Sequence, residues 1–316
     1  MDIKNKSDMY LSVVIPVYND QEVLPELYAR LKPVLDSIHE AYEVILVDDG
    51  SKDKSWHEIT EICNRDNKFV GIKLSRNFGQ QNSISAGLDH TRGEIIVLMD
   101  SDLQDRPEDI PLLIDSLIKH NVSMAIAQWT HREDSSFKKS VSNLFFHVSD
   151  KITDIHIKPR LGIFRAMRKC IIDELKNFPE KTSTTISLLY YIGNNYVCVP
   201  LKRDARFAGV SGYNLSKMLS LTFTRIFSFS MFPIRLAIYT GFILSILSFL
   251  WGIYLITSYL LGNIVAGSAS IITAVAFLFG LNFIFIGILG EYLGKVFLET
   301  KQRPKYIVSE IKVALS

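Results

Sequence analysis

The stretch IIVLMDSDLQD, residues 95–105, decides how this chain is read. Five apolar residues, Ile95 to Met99, run straight into Asp100-Ser101-Asp102. A short continuous apolar run rich in β-branched residues predicts a strand buried on both faces. Carboxylates placed directly after it fall at the carboxyl end of that strand, where open α/β sheets keep their ligand crevice. Working outward, comparable runs lie at 11–17 (LSVVIPV), 43–48, 69–74 and 122–127, with the quoted one spanning 94–99. Helical patterns fill the intervals at about 21–38, 54–65, 80–91 and 107–119. This alternation predicts an α/β fold with a mostly parallel sheet and helices on both faces. Asp48-Asp49-Gly50-Ser51 closes the second run much as Asp100-Ser101-Asp102 closes the fourth.

Asp100 and Asp102 stand two apart, so on an extended segment both face one way. Two bare carboxylates about 5 Å apart repel by roughly 3 kcal/mol at an effective dielectric near 20. A divalent cation, Mg²⁺ or Mn²⁺, removes that cost and completes its shell with water and phosphate oxygens. Gln104 offers a further oxygen. A DxD triplet alone is commonly a solvated loop; the apolar run before this one makes it a candidate metal and diphosphate site. Asp48 and Asp49 accept hydrogen bonds from ribose hydroxyls or a base N–H in one reading. In the other, Ser51 or Asp53 caps the following helix. Arg76, in Leu74-Ser75-Arg76-Asn77-Phe78-Gly79 after the third run, either meets phosphate or braces the acidic loops. Arg203 and Arg206 follow the strand-like segment Tyr196–Pro200, where they face a diphosphate, a lipid phosphate or plain solvent.

From Leu236 to Gly290 no charged residue occurs. That length holds two helices of about 20 apolar residues each. A break at Gly262, Asn263, Gly267 and Ser268 divides it into helices at about 234–260 and 270–293, joined by a tight turn. Such a hairpin returns both outer ends to one side. Lys217, Arg225 and Arg235 precede it, Lys295, Lys301, Arg303 and Lys305 follow it, and the turn carries no basic residue. The positive-inside rule then puts the large N-terminal part and the tail in the cytoplasm. Segments 135–151 and 214–232 mix aromatic and aliphatic residues with Lys138, Lys139, Lys217 and Arg225. Both suit the lipid headgroup plane, with the basic groups at phosphates, although core helices carry similar patterns.

With 35 Lys and Arg against 33 Asp and Glu, the net charge of +2 supports no nucleic-acid partner. Cys63, Cys170 and Cys198 are scattered and form no CxxC pair, which fits a reducing compartment and argues against a structural zinc site or disulfide frame. The polar stretch Met1 to Tyr10 lacks the apolar core of a secretory signal. No Ser-His-Asp order, HExxH or P-loop is present.

Taken together these motifs resemble the membrane-anchored polyprenyl-phosphate glycosyltransferases of glycosyltransferase family 2. The resemblance runs through VIPVYND (14–20), VDDGSKD (47–53), LSRNFGQQ (74–81), MDSDLQD (99–105), REDS (132–135) and RDARFAG (203–209). GEYLGK (290–295) and RPKY (303–306) close it. It implies a GT-A nucleotide-diphospho-sugar transferase domain over 1–210, a juxtamembrane amphipathic helix over 211–232, a transmembrane hairpin over 233–294 and a cytosolic tail over 295–316. Carried across by position, Pro16, Tyr18, Asp20, Asp48, Asp49 and Asp100 line the nucleotide, Asp102 and Gln104 hold the metal, and Arg206 faces the phosphates. Arg76, Arg132, Arg203 and Lys217 complete the substrate-binding candidates, and Asp100, Asp102 and Arg206 the catalytic ones. The implied reaction is inverting transfer of one sugar, from a nucleotide-diphosphate donor, UDP-linked by analogy with bacterial members, to undecaprenyl phosphate. It takes place at the cytoplasmic face of a bacterial inner membrane, in a homotetramer by resemblance.

Four departures bear on the donor sugar. Trp129 replaces a common Arg, Ile163 a common Asp, Thr184–Leu188 lacks an Arg-Gly-Leu, and Gly212 replaces a Lys. The regions of Ile163 and Thr184–Ser187 resemble the aminoarabinose branch more than the glucose branch. Glucose, N-acetylhexosamine and a modified pentose all stay open. Two other readings compete: a processive polysaccharide synthase, for which one hairpin is little membrane and QxxRW is missing, and an inactive membrane-tethered nucleotide-sugar scaffold.

Overall fold

The computed structural model describes residues 9–129, 161–178, 180, 183–193, 195–204, 230–261 and 267–314. These residues belong to two compact units, one comprising Met1–Asp150, Ile155–Leu215 and Arg303–Ser316, the other Lys151–Asp154 and Ser216–Gln302.

The first unit is built on an eight-stranded sheet. Its strands are β1 (Leu11–Val17), β2 (Tyr42–Asp48), β3 (Phe69–Leu74), β4 (Ile95–Leu98), β5 (Met124–Trp129), β6 (Leu161–Arg168), β7 (Tyr196–Leu201) and β8 (Val308–Lys312). They lie in the order β7-β5-β6-β4-β1-β2-β3-β8. Pairings β1–β2, β1–β4, β2–β3 and β5–β7 are parallel, whereas β4–β6, β5–β6 and β3–β8 are antiparallel. The five apolar runs read from sequence all form strands. Every residue of β1 and β2 is buried, the signature of a sheet covered on both faces.

Helices α1 (Leu24–Asp36), α2 (Ser55–Arg65), α3 (Gln80–Asp89) and α4 (Ile110–Lys119) fill the expected intervals, α4 being preceded by a short 3₁₀ turn at Pro107–Asp109. In α1 the buried positions Leu24, Leu27, Leu31 and Leu35 recur at three and four residues, one stripe turned to the sheet. They pack in one core with Val13, Ile15, Val44, Leu46 and Val97. Two further helices, α5 (Lys169–Lys176) and α6 (Thr185–Ile192), follow β6.

The second unit contains α7 (Phe232–Leu260) and α8 (Ser268–Thr300). Both are long and apolar enough to cross a membrane, over Phe232–Ser258 and Phe277–Thr300, and neither stretch is buried within the protein. The 27 residues of the first rise about 40 Å, beyond the roughly 30 Å of a hydrocarbon core. Tyr292 Oη donates to the Ser230 carbonyl at 2.6 Å, so the late part of α8 meets the start of α7. That is hairpin geometry. Helix α8 runs beyond the expected end at 293, because Glu291, Lys295 and Glu299 are good helix formers and the single Gly294 among them is tolerated with no proline before Thr300. The tight turn falls largely on 262–266, outside the described residues, as do the segment 135–151 and all but the end of 214–232.

The segment after the hairpin is more than a tail. Its residues Val308–Lys312 add an antiparallel edge strand beside β3. Ser75 N donates to Ile307 O at 2.9 Å, and Tyr306 Oη to Asp89 at 2.6 Å, which fastens the RPKY stretch to α3.

Candidate active site

Strand order reverses between β1 and β4: β2 and β3 extend to one side of β1, β4 and β6 to the other. This is a topological switch point, where loops at the strand carboxyl ends part and leave a crevice. Pro16 lies two residues past Val14, which with Leu98 forms the last β1–β4 pair. A residue without an N–H fits there, since the ladder on that side has already ended.

At the end of β1, the Asp20 carboxylate accepts a hydrogen bond from Ser101 Oγ at 2.5 Å, and its backbone N–H donates to Ser55 Oγ at 2.9 Å. Asp20 thus joins the β1 loop to the β4 loop, and Tyr18 beside it is exposed. Burial holds the Asp20 carboxyl above its ordinary range, against the opposing hydrogen bonds from Ser101 and the Tyr18 amide.

At the end of β2, Asp48 and Asp49 are both buried. Asp48 Oδ1 accepts from the Ser51 amide at 3.1 Å, while Oδ2 has no hydrogen-bond partner. Asp49 gives one oxygen to the Phe78 amide at 2.8 Å and the other to the Gly79 amide at 2.9 Å. Burial raises both carboxyls, and the hydrogen bonds pull them back. Gly50 has φ +66°, and a Cβ there would come 2.6 Å from Asn77 N. Only glycine allows this left-handed turn beneath the crossing 76–77 backbone. The brace between the two loops is therefore made by backbone amides. The Arg76 guanidinium does not supply it; it rests over the Phe78 ring at 4.9 Å. Asp53, rather than Ser51, serves the first turn of α2, accepting from Ser55 N at 3.0 Å, while Ser51 Oγ accepts from Asn19 N.

At the end of β4, Asp100 and Asp102 are half-buried, and Ser101 between them is buried. Asp100 Oδ1 accepts from Gln80 Nε2 at 2.8 Å, and Asp102 Oδ1 from the Gln104 amide at 3.2 Å. Leu103 has φ +57°. A leucine in the left-handed region costs about 1–2 kcal/mol, and this turn folds Gln104 back beside Asp102. Gln104 Nε2 donates to the Asp204 carbonyl at 3.4 Å. That leaves its oxygen as the atom suited to a cation. Among the described residues no three His, Cys, Asp or Glu side chains form a metal cage. Two carboxylates and an amide are a fitting protein share for a hard cation such as Mg²⁺ or Mn²⁺, which takes its remaining oxygens from water and phosphate.

Asp105 follows, 1 % exposed, with neither oxygen hydrogen-bonded among the described residues. Burial first, then the Asp100 charge, holds its carboxyl well above the usual range, while Arg203, with Nε at 3.9 Å, opposes the shift. The structure thus brings Pro16, Tyr18, Asp20, Asp48, Asp49, Arg76, Asp100, Asp102, Gln104 and Arg203 to strand ends on one rim of the sheet. Arg132, Arg206 and Lys217 lie outside the described residues. Sequence reading passed over Ser101, Gln80 and Asp105 as working parts. Two of them sit inside the quoted motif, and their roles depend on partners distant in the chain.

Comparison with known proteins agrees with this fold. The model of "Glycosyl transferase family 2" matches residues 12–176. Solved structures share the GT-A architecture: glucosyl-3-phosphoglycerate synthase from Mycobacterium tuberculosis, crystallised with Mn²⁺, UDP and glucosyl-3-phosphoglycerate, gives a TM-score of 0.52 at 17% identity. That match covers 69% of this chain and 78% of the synthase. A bactoprenol glucosyl transferase of Shigella phage SfX is 34% identical over 306 residues, 96% of this chain and 100% of its own. An uncharacterized glycosyltransferase of Synechocystis, sll0501, is 36% identical over 302 residues, 95% of each chain. The chain belongs to glycosyltransferase family 2, and it is a glycosyltransferase.

Proposed function

We propose that this protein transfers a single sugar, with inversion, from a nucleotide-diphosphate donor, UDP-linked, to undecaprenyl phosphate at the cytoplasmic face of a bacterial plasma membrane. One observation carries the reading. The acidic rim at the switch point belongs to a chain that leaves its sheet, runs through two span-length apolar helices, and returns to the same sheet at β8. Departure and return require an even number of membrane crossings. The basic residues at both outer ends of the hairpin favour the cytoplasmic side for the sheet. The full-length likeness to a bactoprenol glucosyl transferase supports a polyprenyl-phosphate acceptor.

In this reading Asp20, held by Ser101, and Asp48 with its unsatisfied oxygen receive the ribose and base of the donor. Asp49 keeps the loop that frames them. Asp102 and Gln104, with Asp100 oriented by Gln80, would hold a divalent cation. When bound, the cation neutralises charge on the departing nucleoside diphosphate. The acceptor phosphate is already anionic near neutrality, so its oxygen attacks the anomeric carbon without a strong general base. The chain's task is then to align donor and acceptor. Arg132, Arg206 and Lys217 are proposed phosphate contacts, and assembly as a tetramer is proposed by resemblance.

The test is to incubate membranes containing the protein with a panel of labelled nucleotide sugars and undecaprenyl phosphate, then analyse the lipid by mass spectrometry. A mono-glycosylated lipid is expected, and its mass names the sugar. Donor binding without product would overturn transfer in favour of a nucleotide-sugar scaffold.

A further inference from the structure

We propose that Trp129 and Asp105 are positioning residues for Arg203, holding its guanidinium beside the acidic loop as a cation that receives a phosphate oxyanion. This rests on the transfer reaction proposed above and assigns parts of the site which that reading leaves without work.

Strands β5 and β7 end together, Trp129 pairing with Leu201, so the chain emerging from β7 passes over the indole. The Arg203 guanidinium carbon lies 5.3 Å from the Trp129 ring centre. The indole is itself wedged: a Cβ on Gly162 would come within 2.7 Å of its Cζ2. On its other flank Arg203 faces Asp105, whose buried carboxylate lies 3.9 Å from Nε, too far for a hydrogen bond. The flanking backbone is pinned as well, because Asp204 N donates to Gln104 O at 3.1 Å.

The outcome is a cation held between an aromatic face and a buried acidic side chain. Among the described residues none of its N–H groups donates a hydrogen bond. A surface arginine usually wanders. This one is localised, and among the described residues its planar array of donors is not engaged, the condition for capturing a phosphate at low entropic cost. Asp105 lies buried beside that guanidinium, an acidic side chain against which it is held.

The test is a double-mutant cycle on the full chain in nanodiscs, titrating donor and acceptor separately. In parallel, Kd is measured by calorimetry for UDP and for undecaprenyl phosphate in micelles, so that the cycle reads without turnover. Arg203→Ala should raise KM or Kd for one phosphate ligand about tenfold, with kcat within about threefold. Trp129→Leu and Gly162→Ala should give smaller shifts in the same constant, and Trp129→Phe should retain most of the wild-type value. Arg203→Ala with Trp129→Leu should match Arg203→Ala alone. The ligand whose constant moves identifies the phosphate as that of the donor or of the lipid. Additive effects, or unchanged constants for both ligands in Arg203→Ala, would overturn the proposal. If Trp129→Leu unfolds, Trp129→Phe and Arg203→Lys carry the cycle. Wild-type protein that yields no product from any donor defeats the transfer reading instead, while the Kd cycle still decides this one.

Discussion

At the end of β2, Asp49 gives both oxygens to backbone amides of the next loop; at the end of β4, Asp100 accepts from the Gln80 side chain and Asp102 from the Gln104 amide, and both are half-buried. The residue type is the same and the strands lie two apart in one sheet, with β1 between them. The difference is in what each carboxylate faces. Asp49 is aimed beneath a crossing backbone and builds the crevice. The β4 pair lies half-buried at the rim of the sheet, bonded to Gln80 and to the Gln104 amide of its own loop. An acidic strand end therefore reveals a site only together with its neighbouring loops.

Four experiments break or sharpen that contrast. Asp102→Ala should lower turnover by at least about a thousandfold while leaving the unfolding temperature and membrane fraction as in wild type. Near-normal lipid product from this variant would remove the operating role. Chelation should lower turnover by about a hundredfold, Mg²⁺ or Mn²⁺ should restore it, and neither should change Asp102→Ala. Asp49→Ala should instead act on folding. Two loop amides lose their acceptor, costing about 2–4 kcal/mol, visible in denaturant unfolding; an unaltered midpoint would mean that the brace is dispensable. The smallest effect separates buried from exposed carboxylates by pH. The Asp49 carboxyl is raised by burial, so its stabilising share is present at low pH and fades as pH rises from about 4 through its folded value. Asp36 is lowered by Lys32, Tyr42 and Lys68, so its share is present above about pH 4 and fades as pH falls. Its side chain is 41% exposed, which keeps the effect below about 1 kcal/mol. Relative to wild type, the unfolding temperature of Asp49→Asn should climb as pH rises above about 4, and that of Asp36→Asn should fall.

The first five strands and four helices were legible because each repeats a local pattern, apolar run or helical stripe, that burial in a covered sheet demands. Strand β6 was not, since Arg165 sits at its centre, fully buried. Its guanidinium donates to the carbonyls of Gly162 and Ile163, a solution that only the folded chain displays. Strand β8 was missed for a different reason. VSEIK is short and polar, suited to a sheet edge, and its partner is remote. At the site, the placement of carboxylates at strand ends was readable from sequence. The division of labour between Asp49 and Asp102 was not, because it depends on amides at 78 and 79 and on the turn at Leu103.

The late strand also sets a timetable for biogenesis. Ser309 on β8 bonds to Lys73 on β3 across 236 residues of chain. At a synthesis rate of about 5–20 residues per second, β3 waits roughly ten to fifty seconds for its neighbour, with the hairpin emerging in between. During that wait its flank is an open template for aggregation. Clipping the chain just before Val308 would make that interim state permanent, so a nick remote in sequence from Asp48, Asp49, Asp100 and Asp102 would be expected to reduce yield before it touched chemistry.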